Sequence, residues 1–128
     1  MAKILVVDDA KFMRMTLGEM LQKANHEIVG EAINGEEAVS KYIELSPDIV
    51  TMDITMPGVN GIEATREIIK HNQKANIIIC SAMGQQKVIN EAIEAGAKDY
   101  LIKPFDENQV IETMNRLIYN SKQSVSNT

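Results

Sequence analysis

Five side chains able to do chemistry stand directly after apolar runs. Asp8 and Asp9 follow KILVV (3–7), Asp53 follows DIVTM (48–52), Ser81 sits late in NIIICSA (76–82), and Lys103 closes DYLIK (99–103) just before Pro104. Three carboxylates offer hard oxygen ligands, a set that suits Mg²⁺, which keeps several waters and takes one or two carboxylates. An ammonium and a hydroxyl add a point charge and a neutral donor for an anion. Brought together, these groups can hold a phosphoryl group and meet the charge on its equatorial oxygens from several sides. Asp53 would then be the nucleophile that forms an acyl phosphate. Each residue alone has an ordinary reading: Asp8 and Asp9 as turn formers or N-caps, Ser81 as a satisfied loop hydroxyl, Lys103 as a solvated lysine. Asp53 fits the ordinary reading least well, because the MPG that follows already supplies the turn. The chemistry therefore depends on whether the fold gathers the five at one place.

The elements that must position them alternate along the chain. KILVV (3–7) is a continuous apolar run, as in a strand covered on both faces. Met13, Leu17, Met20, Leu21 and Ala24 then recur on one helix face. EIVGEA (27–32) reads as a second strand, and Asn34 caps a helix with Glu36 and Glu37 in its first turn and a face of Ala38, Val39, Tyr42 and Ile43, ended by Pro47. DIVTM is a third strand, followed by a helix around 62–70. NIIICSA is the fourth, followed by a helix over about 86–95 that Gly96 ends. DYLIK is the fifth, and Asp106 with Gln109 resembles a capping box for a last helix with Val110, Met114, Leu117 and Ile118 on its face. Five strands alternating with five helices predict right-handed crossovers and an α/β fold, a parallel sheet covered on both sides. Ligands of such sheets sit outside the carboxyl ends of the strands. All five candidate residues lie at such ends. Strand two contributes no comparable group and is expected at an edge.

Composition narrows the classes. With 128 residues, 45% apolar and 24% charged, the chain is expected to form one domain over 1–120, with a polar, disordered tail over 121–128. The net charge of −5 argues against non-specific nucleic-acid binding. The lack of a long apolar run argues against a membrane span, and the single Cys80 fits a reducing cytoplasm. Cys80 reads as a buried strand residue, and His26 and His71 as helix-end residues without the partners a zinc site needs. Lys11 and Arg14 follow the acid pair and read as solvated, with a partner contact as the other reading.

In order and spacing, VVDD (6–9), MDITMPGVNG (52–61), CSA (80–82) and AGAKDYLIKPF (95–105) resemble the receiver domains of two-component response regulators, over residues 2 to about 119. VDDAKFMR (7–14) and CSAMGQQ (80–86) are most similar to stand-alone chemotaxis regulators of the Gram-positive-like branch. The resemblance implies a flavodoxin-like doubly wound sheet of strand order 2-1-3-4-5 with five helices, which carries the order that periodicity does not supply. It implies that Asp53 accepts phosphate from a CheA-like histidine kinase. Asp9 and Asp53 would ligate Mg²⁺ directly, with the Thr55 backbone carbonyl as a third ligand and Asp8 mostly through water. Lys103 would pair with the phosphate, with Lys103–Pro104 as a cis peptide. Ser81 would be a switch hydroxyl and Tyr100 an aromatic that moves inward with it. A face of the fourth helix, fifth strand and last helix would then meet a flagellar motor switch protein. The implied protein is a cytoplasmic monomer, a signalling protein rather than a turnover enzyme, with a possible phosphatase partner and no nucleic acid or membrane. Thr55 and Met83 occupy positions that tune phosphate lifetime in the family, where rapid losers commonly carry an amide or an acid.

Other readings share most of these residues. A receiver domain of a transcriptional regulator would need a DNA-binding unit after residue 128, and a phosphorelay intermediate would pass its phosphate to a second histidine. A metal-dependent phosphatase of similar topology needs an acid two residues after the nucleophile, where this chain has Thr55.

Overall fold

The computed structural model describes residues 1–56 and 58–126 of the chain, with side chains to residue 121. Five strands, β1 (Lys3–Val7), β2 (Glu27–Ala32), β3 (Ile49–Asp53), β4 (Ile77–Ala82) and β5 (Asp99–Lys103), alternate with α1 (Lys11–Lys23), α2 (Gly35–Leu45), α3 (Gly61–His71), α4 (Gln86–Glu94) and α5 (Glu107–Ser126). The strands are all parallel and ordered β2-β1-β3-β4-β5, so β2 is indeed an edge.

The apolar runs are continuous because both faces of the sheet are covered, and the period of two divides them between two cores. Leu5, Val7, Val50, Met52, Ile77 and Ile79 face one cluster with Ala38, Tyr42, Ile62, Ile68 and Ile89 of α2, α3 and α4. Ile4, Val6, Ile49, Ile78, Cys80 and Leu101 face the other, with Leu17 and Leu21 of α1 and Val110, Met114 and Leu117 of α5. Burying a side chain of this size stabilises by about 1.5–3 kcal/mol before chain entropy is charged against it.

Caps fix where the helices start. The Asn34 side chain accepts from Glu37 N at 2.8 Å. Asn60 caps α3 by accepting from Ile62 N and Glu63 N at 2.9 and 3.0 Å. The Asp106 carboxylate accepts from Gln109 N at 3.0 Å, the first half of the expected box. Ser46 ends α2 in a left-handed conformation, φ 45°, one residue before Pro47.

One expectation needs correction. Ile43 is 50% exposed rather than on the buried face of α2. Ala38 and Tyr42, four apart, define that face, and Ile43 lies about 100° round from Tyr42. The segment expected to be a disordered tail begins within α5, which extends as far as Ser126. No Gly or Pro interrupts 121–126, and Asn76 Nδ2 donates to Ser121 Oγ at 2.9 Å, tying the start of this last stretch to the residue before β4. Residues 127 and 128 lie outside the described residues.

Candidate functional site

Strand register explains why the acids meet. Val7 pairs with Met52 and Asp53 with Cys80, so Asp8, the residue after Val7, comes alongside Asp53. Ala82 pairs with Lys103 at the same edge of the sheet. One carboxylate oxygen from each of Asp8, Asp9 and Asp53 lies within 4.8 Å of the other two. Lys103 Nζ reaches across β4 to Asp8 Oδ2 at 2.7 Å and Asp53 Oδ1 at 3.2 Å. Asp8 also accepts from Ala10 N at 2.9 Å through its other oxygen, so the turn-former reading of Asp8 is true as well.

The electrostatics are those of a site short of positive charge. Burial, then the Asp8 carboxylate, push the Asp53 carboxyl up to about 6, with Lys103 pulling it down and Asp9 adding a further rise. Burial by itself would lower the Lys103 ammonium, but the hydrogen bond to Asp8 and the charges of Asp53 and Asp8 outweigh it and hold it above its usual value. One ammonium thus serves two carboxylates, and a third carboxylate is exposed beside them. A hard divalent cation fits this donor set, and oxygen ligands favour Mg²⁺ or Ca²⁺ over softer metals.

Ser81 is brought to the same strand edge, but its hydroxyl is engaged elsewhere, donating to Gln85 Oε1 at 2.6 Å and lying 3.2 Å from the Ala82 carbonyl. Tyr100 is 37% exposed, on β5. Thr55 is exposed in the loop after β3, beside Val88 and Glu91 of α4 in an open cleft. Met83, on the loop before α4, is 75% exposed. The Lys103–Pro104 peptide is cis.

Arg14 is not the solvated residue the sequence suggests. Its guanidinium donates to the Asp8 carbonyl and to Glu31 Oε1, each at 2.8 Å, and so braces the end of β1 against β2. Nothing in its spacing announces this, because Glu31 is brought close only by the pairing of β1 and β2. Lys11 is exposed. Cys80 is buried, and burial pushes its thiol far up, so it is no nucleophile. His26 is buried and accepts from Ala2 N at 3.1 Å. The residue that sequence reasoning missed altogether is Gln85.

Comparison with known proteins agrees with this geometry. The response regulator receiver domain family matches residues 4–115. The chemotaxis protein CheY of Thermotoga maritima is 58% identical over 115 residues, covering 90% of this chain and 96% of that protein. Protein CcdB of Bacillus subtilis is 53% identical over 118 residues, covering 92% and 98%. Among solved structures, CheY in the CheX–CheY–BeF₃–Mg²⁺ complex from Borrelia burgdorferi superposes with a TM-score of 0.86 at 33% identity, covering 91% of this chain and 88% of that one.

Proposed function

The chain belongs to the response regulator receiver domain family and is closely related to CheY, and from that footing we propose that Asp53 is its phosphoacceptor in a chemotaxis signalling pathway. The observation that carries this is the Lys103 ammonium lying between Asp8 and Asp53 while Asp8, Asp9 and Asp53 converge within 4.8 Å. An Asp53 oxygen attacks the phosphorus of a phosphohistidine on a CheA-like histidine kinase. The P–N bond breaks as the O–P bond forms, and the departing imidazole takes a proton from solvent. With an apparent pKa of about 6, Asp53 is mostly ionised at neutral pH and available as a nucleophile. Lys103, firmly protonated, moves from the carboxylates to the phosphoryl oxygens. Asp9, Asp53 and the Thr55 carbonyl would hold Mg²⁺, with Asp8 mostly through water, and the ion would supply charge neutralisation for those oxygens. Water later attacks the acyl phosphate at phosphorus, releasing inorganic phosphate and restoring the Asp53 carboxylate.

The output follows from a charge change of nearly two units at the sheet edge. Ser81 donates to a phosphoryl oxygen, Tyr100 turns inward, and the face of α4, β5 and α5 takes the form that a flagellar motor switch protein binds. Met83 and Thr55, at the positions that tune phosphate lifetime in the family, carry neither an acid nor an amide. In this reading the protein is a cytoplasmic monomer. Among the described residues no helix is long and apolar enough to cross a membrane. Mass spectrometry after incubation with acetyl phosphate and Mg²⁺ tests the reading. A Mg²⁺-dependent phosphoryl adduct on Asp53, absent from Asp53→Asn, is expected, together with tighter binding of a motor-switch peptide. No adduct on Asp53 would overturn it.

A further inference from the structure

The hydroxyl assigned to the phosphoryl group is already committed to another acceptor. Ser81 Oγ donates to Gln85 Oε1 at 2.6 Å, and Ala82 N donates to the same oxygen at 2.8 Å. The chemistry of the amide fixes the direction. A backbone N–H can only donate, so the Gln85 atom facing it is the oxygen, and Ser81 must then supply the proton of its own bond. A serine hydroxyl carries one proton and cannot give it to Gln85 and to a phosphoryl oxygen at once.

The local backbone is shaped for this contact. Gly84 sits at φ +85°, in open space that a side chain would not fill but in a conformation that other residues rarely adopt. That turn brings Gln85, the residue before α4, back over β4. Its side chain does not cap α4 but accepts bonds from three and four residues earlier. The contact therefore joins the last turn of the site to the first turn of a helix.

We propose that Gln85 is a positioning residue, a latch that holds the Ser81 hydroxyl away from the phosphoryl site, so that seating a phosphoryl group releases the Gln85 amide and frees the start of α4. The inference rests on the reading of Ser81 as a hydrogen-bond donor to the phosphoryl group. It adds that the sensitivity of the protein to phosphorylation is set in part by a side chain that never touches phosphate. Ala82 is exposed, so truncating Gln85 leaves its N–H to water and not stranded in the core.

Fluoroberyllate with Mg²⁺, titrated into the full chain and followed by ¹⁹F NMR, reads the balance directly. Losing one neutral hydrogen bond in the unliganded state should tighten fluoroberyllate binding by Gln85→Ala about three- to tenfold. Gln85→Glu, a stronger acceptor for the same hydroxyl, should weaken it. In a Ser81→Ala background the Gln85→Ala gain should vanish, since the two act through one bond. An unchanged affinity for Gln85→Ala, or an equal gain with and without Ser81, would overturn the latch while leaving the Ser81 reading intact. If Ser81→Ala alone binds as tightly as the wild type, the Ser81 reading fails and the latch fails with it.

Discussion

Gly61 lies so close to Asp53 that a methyl group on its Cα would fall 2.1 Å from the Asp53 carbonyl oxygen. The same residue donates its N–H to the Ile54 carbonyl at 3.0 Å. The segment between the acid and α3 thus closes back onto the strand end that carries the acid. The obstacle is backbone, not a flexible side chain, so Gly61→Ala must displace β3 or α3. A loss of about 1–3 kcal/mol, the cost of overpacking, is expected in denaturant unfolding. Gly18, in the middle of α1, provides the contrast, with nothing within 4 Å of the added carbon. Gly18→Ala should gain about 0.5–1 kcal/mol from helix propensity alone. Equal effects at the two glycines would remove the case for a close approach at Asp53.

Asp53 should weaken the metal-free protein that it serves. Its folded pKa of about 6 lies above the unfolded 3.8 because burial and the Asp8 charge outweigh Lys103. The protonated form is therefore favoured by folding, so this contribution is full below 3.8 and is lost as pH rises through about 6. Above that pH, without divalent cations, Asp53→Asn should be more stable than the wild type by on the order of 1–3 kcal/mol. The advantage should shrink between pH 6 and 4, and 10 mM-scale Mg²⁺ should stabilise the wild type far more than the variant (roughly the ligand-linkage relation). Thermal unfolding across pH checks each part.

That Asp8, Asp9, Asp53 and Lys103 converge was legible from sequence, and how Arg14 and Gln85 are engaged was not. Asp8, Asp9, Asp53 and Lys103 could be placed together because each ends a run of apolar residues and parallel strands share their carboxyl edge. Periodicity found the buried face of α5 for the same reason, since 3.6 residues per turn maps directly onto Val110, Met114 and Leu117. Strand order came with the family resemblance, because local pattern carries no information on which strand lies beside which. Arg14 and Gln85 escaped because their partners are set by β1–β2 pairing and by a glycine turn. A polar side chain that folds back four residues leaves no periodic trace. Ile43 misled because an apolar residue on a helix surface is common and need not be core.

His26 gives the protein a second, unrelated pH dependence. It is buried, and burial first, then the positive amino terminus, lower its pKa from 6.5. The neutral ring accepts from Ala2 N at the start of β1, and a protonated Nδ1 would lose that bond. A depressed pKa means the contribution is present above 6.5 and is lost as pH falls through the lower folded value. The His26 ring should titrate below 6.5 by NMR, and Ala2 should lose hydrogen-exchange protection over the same range. His26→Gln should remove that segment from the stability–pH curve while leaving the Asp53 segment unchanged.

Lys103 holds two of the acids together, and under the proposed function it also meets phosphate. Its ammonium stands on two of the carboxylates that a cation would use, 2.7 Å from Asp8 and 3.2 Å from Asp53. Lys103→Met keeps most of the stem but leaves those acids unpaired, and the metal-free protein should lose about 1–3 kcal/mol. The same change removes a positive charge that competes with the metal, so Mg²⁺ should bind severalfold tighter, read from the rise of Tm with Mg²⁺ concentration. Phosphorylation by acetyl phosphate should nevertheless slow at saturating Mg²⁺, because the cation restores the charge balance of the resting site but not the ammonium that meets the incoming oxygens. Tighter metal with slower transfer would place Lys103 in the chemistry, whereas tighter metal with unchanged transfer would reduce it to a counter-ion of the resting acids.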